Sequence, residues 1–446
     1  MRLAKSLFIL VLLVLIALPY AGAQQVSKKQ DIAVFNLSYS DYSIPSGALG
    51  MVDQSIQNVF IELGRFNIFG VQQRLKSRDI DTFINTIKKI KEENMEVPEE
   101  VRLGEETFTE ADFNRLVGSF IVVIPVMSYY NVYEEGSNYK AEIQTTFTFI
   151  KVDEARAFAS FQIDTSGTGE NSQQAVKAAV DAIPMQLQYE VRSIEEFKLK
   201  TGIIDIVGRE YIMQFGRDMG VQVGDEYVST VTQILPSGYE RVNETGLFVI
   251  KKVDHEISTA VSIFRDEKPN IGDQLVEVPR IGFNAMLYAH LLQDNAPDGI
   301  ENRFVIGLQA TGSRGFYDWR PIAGVEVPLG DSFLIWFPVI SYVGAEYHLR
   351  LGRLSITPSA AVGVGTLVPI LGDDEFRENF KILASFGGTA KLSVDYLLNR
   401  DTYLNLYAGY SAYFGTFGDF YWDGDLLTNP ADIQGSFVGA GITFKL

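Results

Sequence analysis

Between Ile281 and Leu446 the sequence alternates, residue by residue, between apolar and small or polar side chains. In the clearest stretch Ala384, Phe386, Gly388, Ala390, Leu392, Val394, Tyr396 and Leu398 form one set. Ser385, Gly387, Thr389, Lys391, Ser393 and Asp395 form the other. A period of two marks a β-strand, whose side chains point alternately to opposite faces. The run exceeds the ~5–6 residues of an ordinary strand, and a tilted strand crosses a bilayer in about 9–11. Hydrocarbon offers the backbone no partner, so strands of this kind must close into a barrel.

The pattern recurs. Val343 to Leu351, Ile356 to Val364, Leu404 to Ala412 and Val438 to Phe444 each carry it, and Ile281–Leu291, Arg303–Thr311 and Arg320–Pro328 carry it more weakly. The sum is about eight strands, the smallest common outer-membrane barrel. Phe333–Ile340 (FLIWFPVI) fits the pattern poorly and leaves ten strands open. Short connections at Gly352-Arg353 and Asn399–Thr402 read as periplasmic turns; Gln293–Asn302, Thr366–Asn379 and Gly415–Gln434 read as long extracellular loops. Trp319, Trp336 and Trp422 fall near strand ends, where aromatic girdles sit. Gly441, Phe444 and Leu446 resemble the carboxy-terminal insertion signal of bacterial outer-membrane barrels, which implies the barrel-assembly machinery as a partner. Leu446 stands where that signal usually has Phe, and Gly439 replaces its polar residue.

The amino terminus reads as a secretory signal over residues 1–23: Arg2 and Lys5, the apolar run Leu7 to Leu18, then Ala21-Gly22-Ala23 before Gln24. No later run is apolar enough for a membrane helix. The chain has no cysteine, which excludes disulfides, thiol catalysis and lipidation on cysteine. A formal charge of −18 argues against nucleic acid or anionic lipid headgroups as main partners.

Residues 24–200 predict an α/β domain. Asp31–Tyr39 is a buried strand, and Leu49, Val52, Ile56 and Leu63 mark a helical face that Ser46 can cap. Phe66–Gln72 is a strand and Ile80–Glu93 a helix; the charged stretch Asn94–Glu106 is a loop. A short helix capped near Thr109 precedes three strands and a long helix that Pro184 should break. Ile32-Ala33-Val34-Phe35, Phe66-Asn67-Ile68-Phe69 and Ala111–Pro125 resemble the CsgG/TolB amino-terminal class of periplasmic domains. Residues 201–278 switch to short strands with Gly224-Asp225 and Gly272-Asp273 turns, and resemble the FlgT carboxy-terminal β module. The fold class is α+β: a periplasmic α/β domain, a small all-β module, and a transmembrane antiparallel barrel over 281–446.

The polar constellation that stands out comprises Glu326, Glu346, His348, Arg350, Lys391 and Asp395, all on the interior face. Its balanced signs predict a salt-bridged plug, since a barrel of ~8 strands leaves room only for side chains. The sharper reading is acid–base catalysis by Glu346 and His348. With His255 and His290 isolated, no transition-metal site is expected. Asp373-Asp374-Glu375 and Asp419–Asp425 could hold Ca²⁺ or simply be solvated. No cofactor is implied. The expected role is a non-enzymatic outer-membrane anchor, in contact with outer-membrane lipid, for a domain that binds an unidentified periplasmic protein or envelope partner. A transport or secretion pore and a lipid-modifying enzyme are the alternatives.

Overall fold

The computed structural model describes residues 26–39, 44–92, 97–118, 121–296, 299–329, 336–369, 384–415, 420–422, 425–427 and 433–446. The secretory signal, Asp373-Asp374-Glu375, Asp419 and Asp423-Gly424 lie outside them.

The first unit is built on a mixed sheet in the order β3-β1-β6-β7-β8, where β1 is Gln30–Phe35, β3 Phe66–Val71, β6 Ile121–Glu135, β7 Asn138–Lys151 and β8 Arg156–Gly169; the short β2 (Ser38–Tyr39) also pairs with β6. β1 runs parallel to β3 and β6, β2 is also parallel to β6, and β6–β7 and β7–β8 are antiparallel hairpins. Strand β1 is apolar on both faces because both are covered. Ile32 and Val34 meet one cluster, with Val52 and Ile56 of α1 (Ser46–Glu62), Val176 of α4 (Ser172–Asp181) and Leu187 of α5 (Ile183–Ser193). Ala33 and Phe35 meet the other, with Phe83 of α2 (Ile80–Glu92) and Phe113 of α3 (Glu110–Gly118).

Two local expectations need correction. Ser46 is not a cap: Pro45 precedes the first turn and no side chain caps it. Asn94–Glu106 is not simply a loop, because Glu100–Leu103 (β4) and Glu106–Thr109 (β5) form a hairpin. Its charges hide a period of two, in which Val101, Leu103 and Phe108 are buried against α2 and α3. Elsewhere Thr109 Oγ1 accepts from Asp112 N at the start of α3. Pro184 falls in the first turn of α5 and separates it from α4, where its missing N–H costs nothing.

The second unit is a closed barrel in the order β10-β13-β12-β11-β14-β9. The strands are β9 Lys200–Val207, β10 Glu210–Met213, β11 Glu226–Ile234, β12 Glu240–Val253, β13 Ser258–Arg265 and β14 Gln274–Val278. Tyr227, Phe248, Ile250 and Leu275 fill it. Gly220, at φ +75°, lets it approach α1: a Cβ there would lie 2.0 Å from the Leu63 carbonyl oxygen.

The third unit is a closed antiparallel barrel of eight strands. They are β15 Phe283–Ala296, β16 Gly299–Gly312, β17 Trp319–Leu329, β18 Trp336–Tyr347, β20 Leu354–Pro369, β21 Ala384–Asn399, β22 Thr402–Gly415 and β25 Ile433–Lys445. β19 (Leu349–Leu351) continues β18 beyond His348, and β23 (Phe420–Trp422) with β24 (Asp425–Leu427) makes a separate hairpin. The β18–β20 and β15–β25 pairings complete the ring. Trp336–Ile340 of the ambiguous FLIWFPVI run opens the fourth strand, which removes the ten-stranded option. Gln293–Asn302 is not a long loop either: β15 and β16 continue through it. Asp294 explains why, being buried in an ion pair with Arg303 at 3.0 Å.

Candidate functional site

Strand alternation sorts the large barrel into an apolar outside and a filled inside. Leu287, Val362 and Val438 are 62%, 67% and 66% exposed, whereas Tyr288, Glu326 and Asp395 are 4–5% exposed. Trp319 packs on Tyr347 at the short-turn end, with ring centroids 5.0 Å apart.

Five of the six expected interior groups join one hydrogen-bonded system. Tyr288 Oη donates to Glu326 Oε1 at 2.8 Å and lies 2.8 Å from Tyr342 Oη. Tyr342 Oη and Lys391 Nζ both donate to Gln309 Oε1, at 3.2 and 3.0 Å. Gln309 Nε2 donates to Glu346 Oε2 at 3.2 Å, and His348 Nε2 lies 2.7 Å from Glu346 Oε1. Thr357 Oγ1 and Asn405 Nδ2 both donate to Asp395, at 2.6 and 2.8 Å; a weak 3.5 Å contact links Thr357 to His348. The sixth, Arg350, turns out of this system, donating to the Tyr317 carbonyl at 2.8 Å and stacking over its ring.

Of the six groups, Glu346 and His348 make a direct contact of the expected kind, whereas Lys391 does not. Lys391 reaches the carboxylates through Gln309 and lies over the rings of Tyr288 and Tyr407. A neutral amide between opposite charges satisfies several groups at once, which isolated ion pairs in a narrow lumen cannot do. The alternation placed the charges on the interior face but gave no weight to Gln309, Tyr342 and Tyr288. Their cross-strand neighbours depend on register, which one sequence does not reveal.

Glycines sit opposite the aromatic groups. Gly307 pairs with Tyr288, Gly324 with Tyr342, Gly387 with Tyr413, Gly409 with Phe437 and Gly439 with Tyr407. A Cβ at Gly307 would lie 2.3 Å from the Tyr288 ring. At Gly307, Gly324, Gly409 and Gly439 the partners' aromatic side chains occupy the space a Cβ would take. Beneath them is a cavity of about 40 Å³, lined by residues that include Glu346, His348, Ser355, Ser393 and Asp395. It has space for a few water molecules. Ser393 already donates to Asp395. Glu346 and His348 are thus within hydrogen-bond reach of each other but face a space too small for a lipid headgroup.

A second charged assembly, which the sequence reading missed, joins the three units. Glu277 of β14 receives Arg65 Nη1 at 2.7 Å and Arg192 Nε at 2.7 Å, and all three side chains are at most 3% exposed. Arg192, on α5, also reaches Asp225 at 3.0 Å. Arg314, in the β16–β17 turn of the large barrel, meets the same Asp225 oxygen at 2.9 Å. Nearby Arg280 bridges Glu226 at 3.1 Å and Asp401 at 2.7 Å, and Lys445 lies 2.5 Å from Glu226. Burial opposes the Glu277 charge, yet Arg65 and Arg192 outweigh it and hold the carboxyl well below its usual range. Glu226 is likewise held down by Lys445 and Arg280 against burial. Arg192 hides from sequence reading inside the apolar stripe of α5, next to Val191.

Gly441 lies on the inner face, where a Cβ would be 2.6 Å from Met286 Cε. Phe444 points outward at 47% exposed. Leu446 accepts a hydrogen bond from Ile281 N at 2.9 Å, which brings the two ends of the barrel segment together.

No protein family matches the sequence, and no curated protein does. Among solved structures, the chain is similar to Neisserial surface protein A, at 13% identity and TM-score 0.28, over 37% of this chain and 97% of that one. It is also similar to the amino-terminal β-barrel domain of Pseudomonas aeruginosa OprF, at 9% identity and TM-score 0.25, with the same two coverages. Ail, the attachment invasion locus protein of Yersinia pestis, gives 11% identity and TM-score 0.22 over 37% of this chain and 99% of that one.

Proposed function

We propose that the chain is a closed outer-membrane anchor that holds its α/β domain and β module against the inner face of that membrane. The observation that carries this reading is the outward face of the large barrel. Residues such as Leu291, Leu308, Val343, Leu392 and Leu406 are 51–59% exposed and recur around the ring. In water such a belt would be a large unpartnered apolar surface; in a bilayer it is solvated by acyl chains. The two ends of the barrel segment and Arg280 sit at the short-turn end, so both preceding units lie on that side, in the periplasm. A CsgG/TolB-like and FlgT-like character for those units, and a periplasmic protein or envelope component as their partner, belong to the same reading. So does insertion by the barrel-assembly machinery through Gly441, Phe444 and Leu446.

The filled lumen favours a non-enzymatic anchor over a pore, and the small cavity beside Glu346 and His348 disfavours lipid chemistry. Fractionation tests the anchor. The protein is expected with outer membranes, and unboiled samples should migrate anomalously on gels. Recovery in the soluble periplasmic fraction would refute it.

A further inference from the structure

The β11–β12 hairpin is longer than the small barrel needs. β11 pairs with β14 only over Glu226–Ser229, and β12 pairs with β13 only over Gly246–Val253. Beyond a bulge at Ser229/Thr230, residues Thr230–Ile234 and Glu240–Glu244 pair only with each other, as a free two-stranded ribbon. Its apolar residues have nothing to pack on: Val231 is 49% exposed, Val242 62%, Ile234 71% and Tyr239 75%. An isolated ribbon that exposes such side chains has little intrinsic reason to keep them.

Its direction is set by contacts with the large barrel. At the root, Glu226 meets Arg280 and Lys445. Val228 then packs in a cluster with Leu397. At the far end of the same stretch, Glu244, opposite Thr230, pairs with Arg400 in the β21–β22 turn. Three successive contacts on the short-turn rim mean that β11 runs along that rim and not away from it. The ribbon continues past Arg400 for four more rungs, roughly 13 Å at ~3.3 Å per residue. It therefore leaves the footprint of the barrel at rim level. Ile234 and Val242 share the ribbon face that carries Glu244, because cross-strand partners and alternate residues project together. That is the face turned to the barrel's side.

We propose that the tip of this ribbon docks on the lipid leaflet around the short-turn rim, with Ile234 and Val242 at interfacial depth and Tyr239, at the turn, beside the headgroups. The proposal rests on the membrane reading above, since the rim marks a leaflet only if the barrel spans one. Tyrosine favours the headgroup level, where its ring is shielded and its hydroxyl wet. Glu240 and Arg241 follow Tyr239 directly, and such charges keep a hairpin out of hydrocarbon. The occupant is thus a lipid surface touched shallowly.

The absence of cysteine makes the test direct. Single variants Ile234→Cys, Val362→Cys and Glu100→Cys of the full chain carry a nitroxide label and are reconstituted in phosphatidylethanolamine–phosphatidylglycerol vesicles. Val362 is on the outer barrel wall, and Glu100 is exposed on the hairpin that covers the opposite sheet face from α5. The label at 234 is expected to show a several-fold loss of collision with a water-soluble nickel relaxant, and a gain with oxygen, relative to the label at 100. If 362 reports lipid while 234 stays in water, the ribbon proposal falls and the membrane reading stands. If 362 itself reports water, both fall. Loss of nickel collision at 234 with no gain from oxygen would mean protein covers the tip, which also overturns the proposal.

Discussion

At the scale of single residues, the joint depends on Glu277. Its two oxygens hold two buried guanidiniums and also accept from Leu199 N at 3.0 Å. Breaking a buried pair from one side leaves charge without a partner, at a cost of ~3–5 kcal/mol. Glu277→Gln is therefore expected to lower the denaturation midpoint of the α/β–module pair by a cost of that order and to expose the joint near residue 279 to protease. Unchanged melting and digestion would show that the cluster is not a structural bond. The pH dependence follows from the depressed carboxyl. Its stabilisation is complete above the ordinary glutamate value of about 4.3 and is lost as pH falls below that towards the folded-state value. Mild acid, near pH ~5, leaves it intact. In the Gln variant, this part of the acid dependence disappears from melts recorded across the same range.

At the scale of elements, the lumen is held by rings lying over glycines. Gly307→Val would drive a methyl group into the Tyr288 ring, where even a Cβ lies only 2.3 Å away. Tyr288 would have to leave its bonds to Glu326 and Tyr342. Loss of a buried hydrogen-bonded pair and overpacking each cost about 1–3 kcal/mol. The expected result is a barrel that loses its gel shift at a lower temperature than the parent, measured by graded heating before electrophoresis. Much of this element was legible from alternation alone: the inward set Lys391, Ser393, Asp395 and the outward set Leu392, Val394 are where period two puts them. The use of the glycines was not. The ring of Phe437 takes the space at Gly409, Tyr342 Cβ and the Tyr413 hydroxyl approach Gly363, and the Tyr413 backbone approaches Gly387. Register decides which side chain faces a glycine, and register is a long-range property. For the same reason Arg65, Arg192 and Glu277, far apart in the chain, gave no sign of meeting.

At the scale of the whole molecule, the plug belongs to the strands of the large barrel and not to the units in front of it. Tyr288, Gln309, Tyr342, Lys391 and Glu346 come from four different strands and bond across the lumen. Purified protein in planar bilayers is expected to show no steady channel, with or without residues 24–278. Large single-channel currents from the monomer would refute a closed barrel, and currents only from higher oligomers would favour a pore assembled by the preceding units.

The contact between Glu226 and Lys445 also bears on the order of events during folding. Glu226 precedes every strand of the large barrel, and Lys445 lies on β25, which follows all the others and zips against both β15 and β22. Until that seam shuts, Glu226 has no Lys445 to meet, and Arg280 lacks the Lys445 carbonyl to which it donates at 3.0 Å. Pairings between segments so distant in sequence form late, because loop closure must come first. The Glu226 end of the joint is therefore completed only on a finished ring, whereas the contacts of Asp225 with Arg314 and of Glu244 with Arg400 do not wait for that seam.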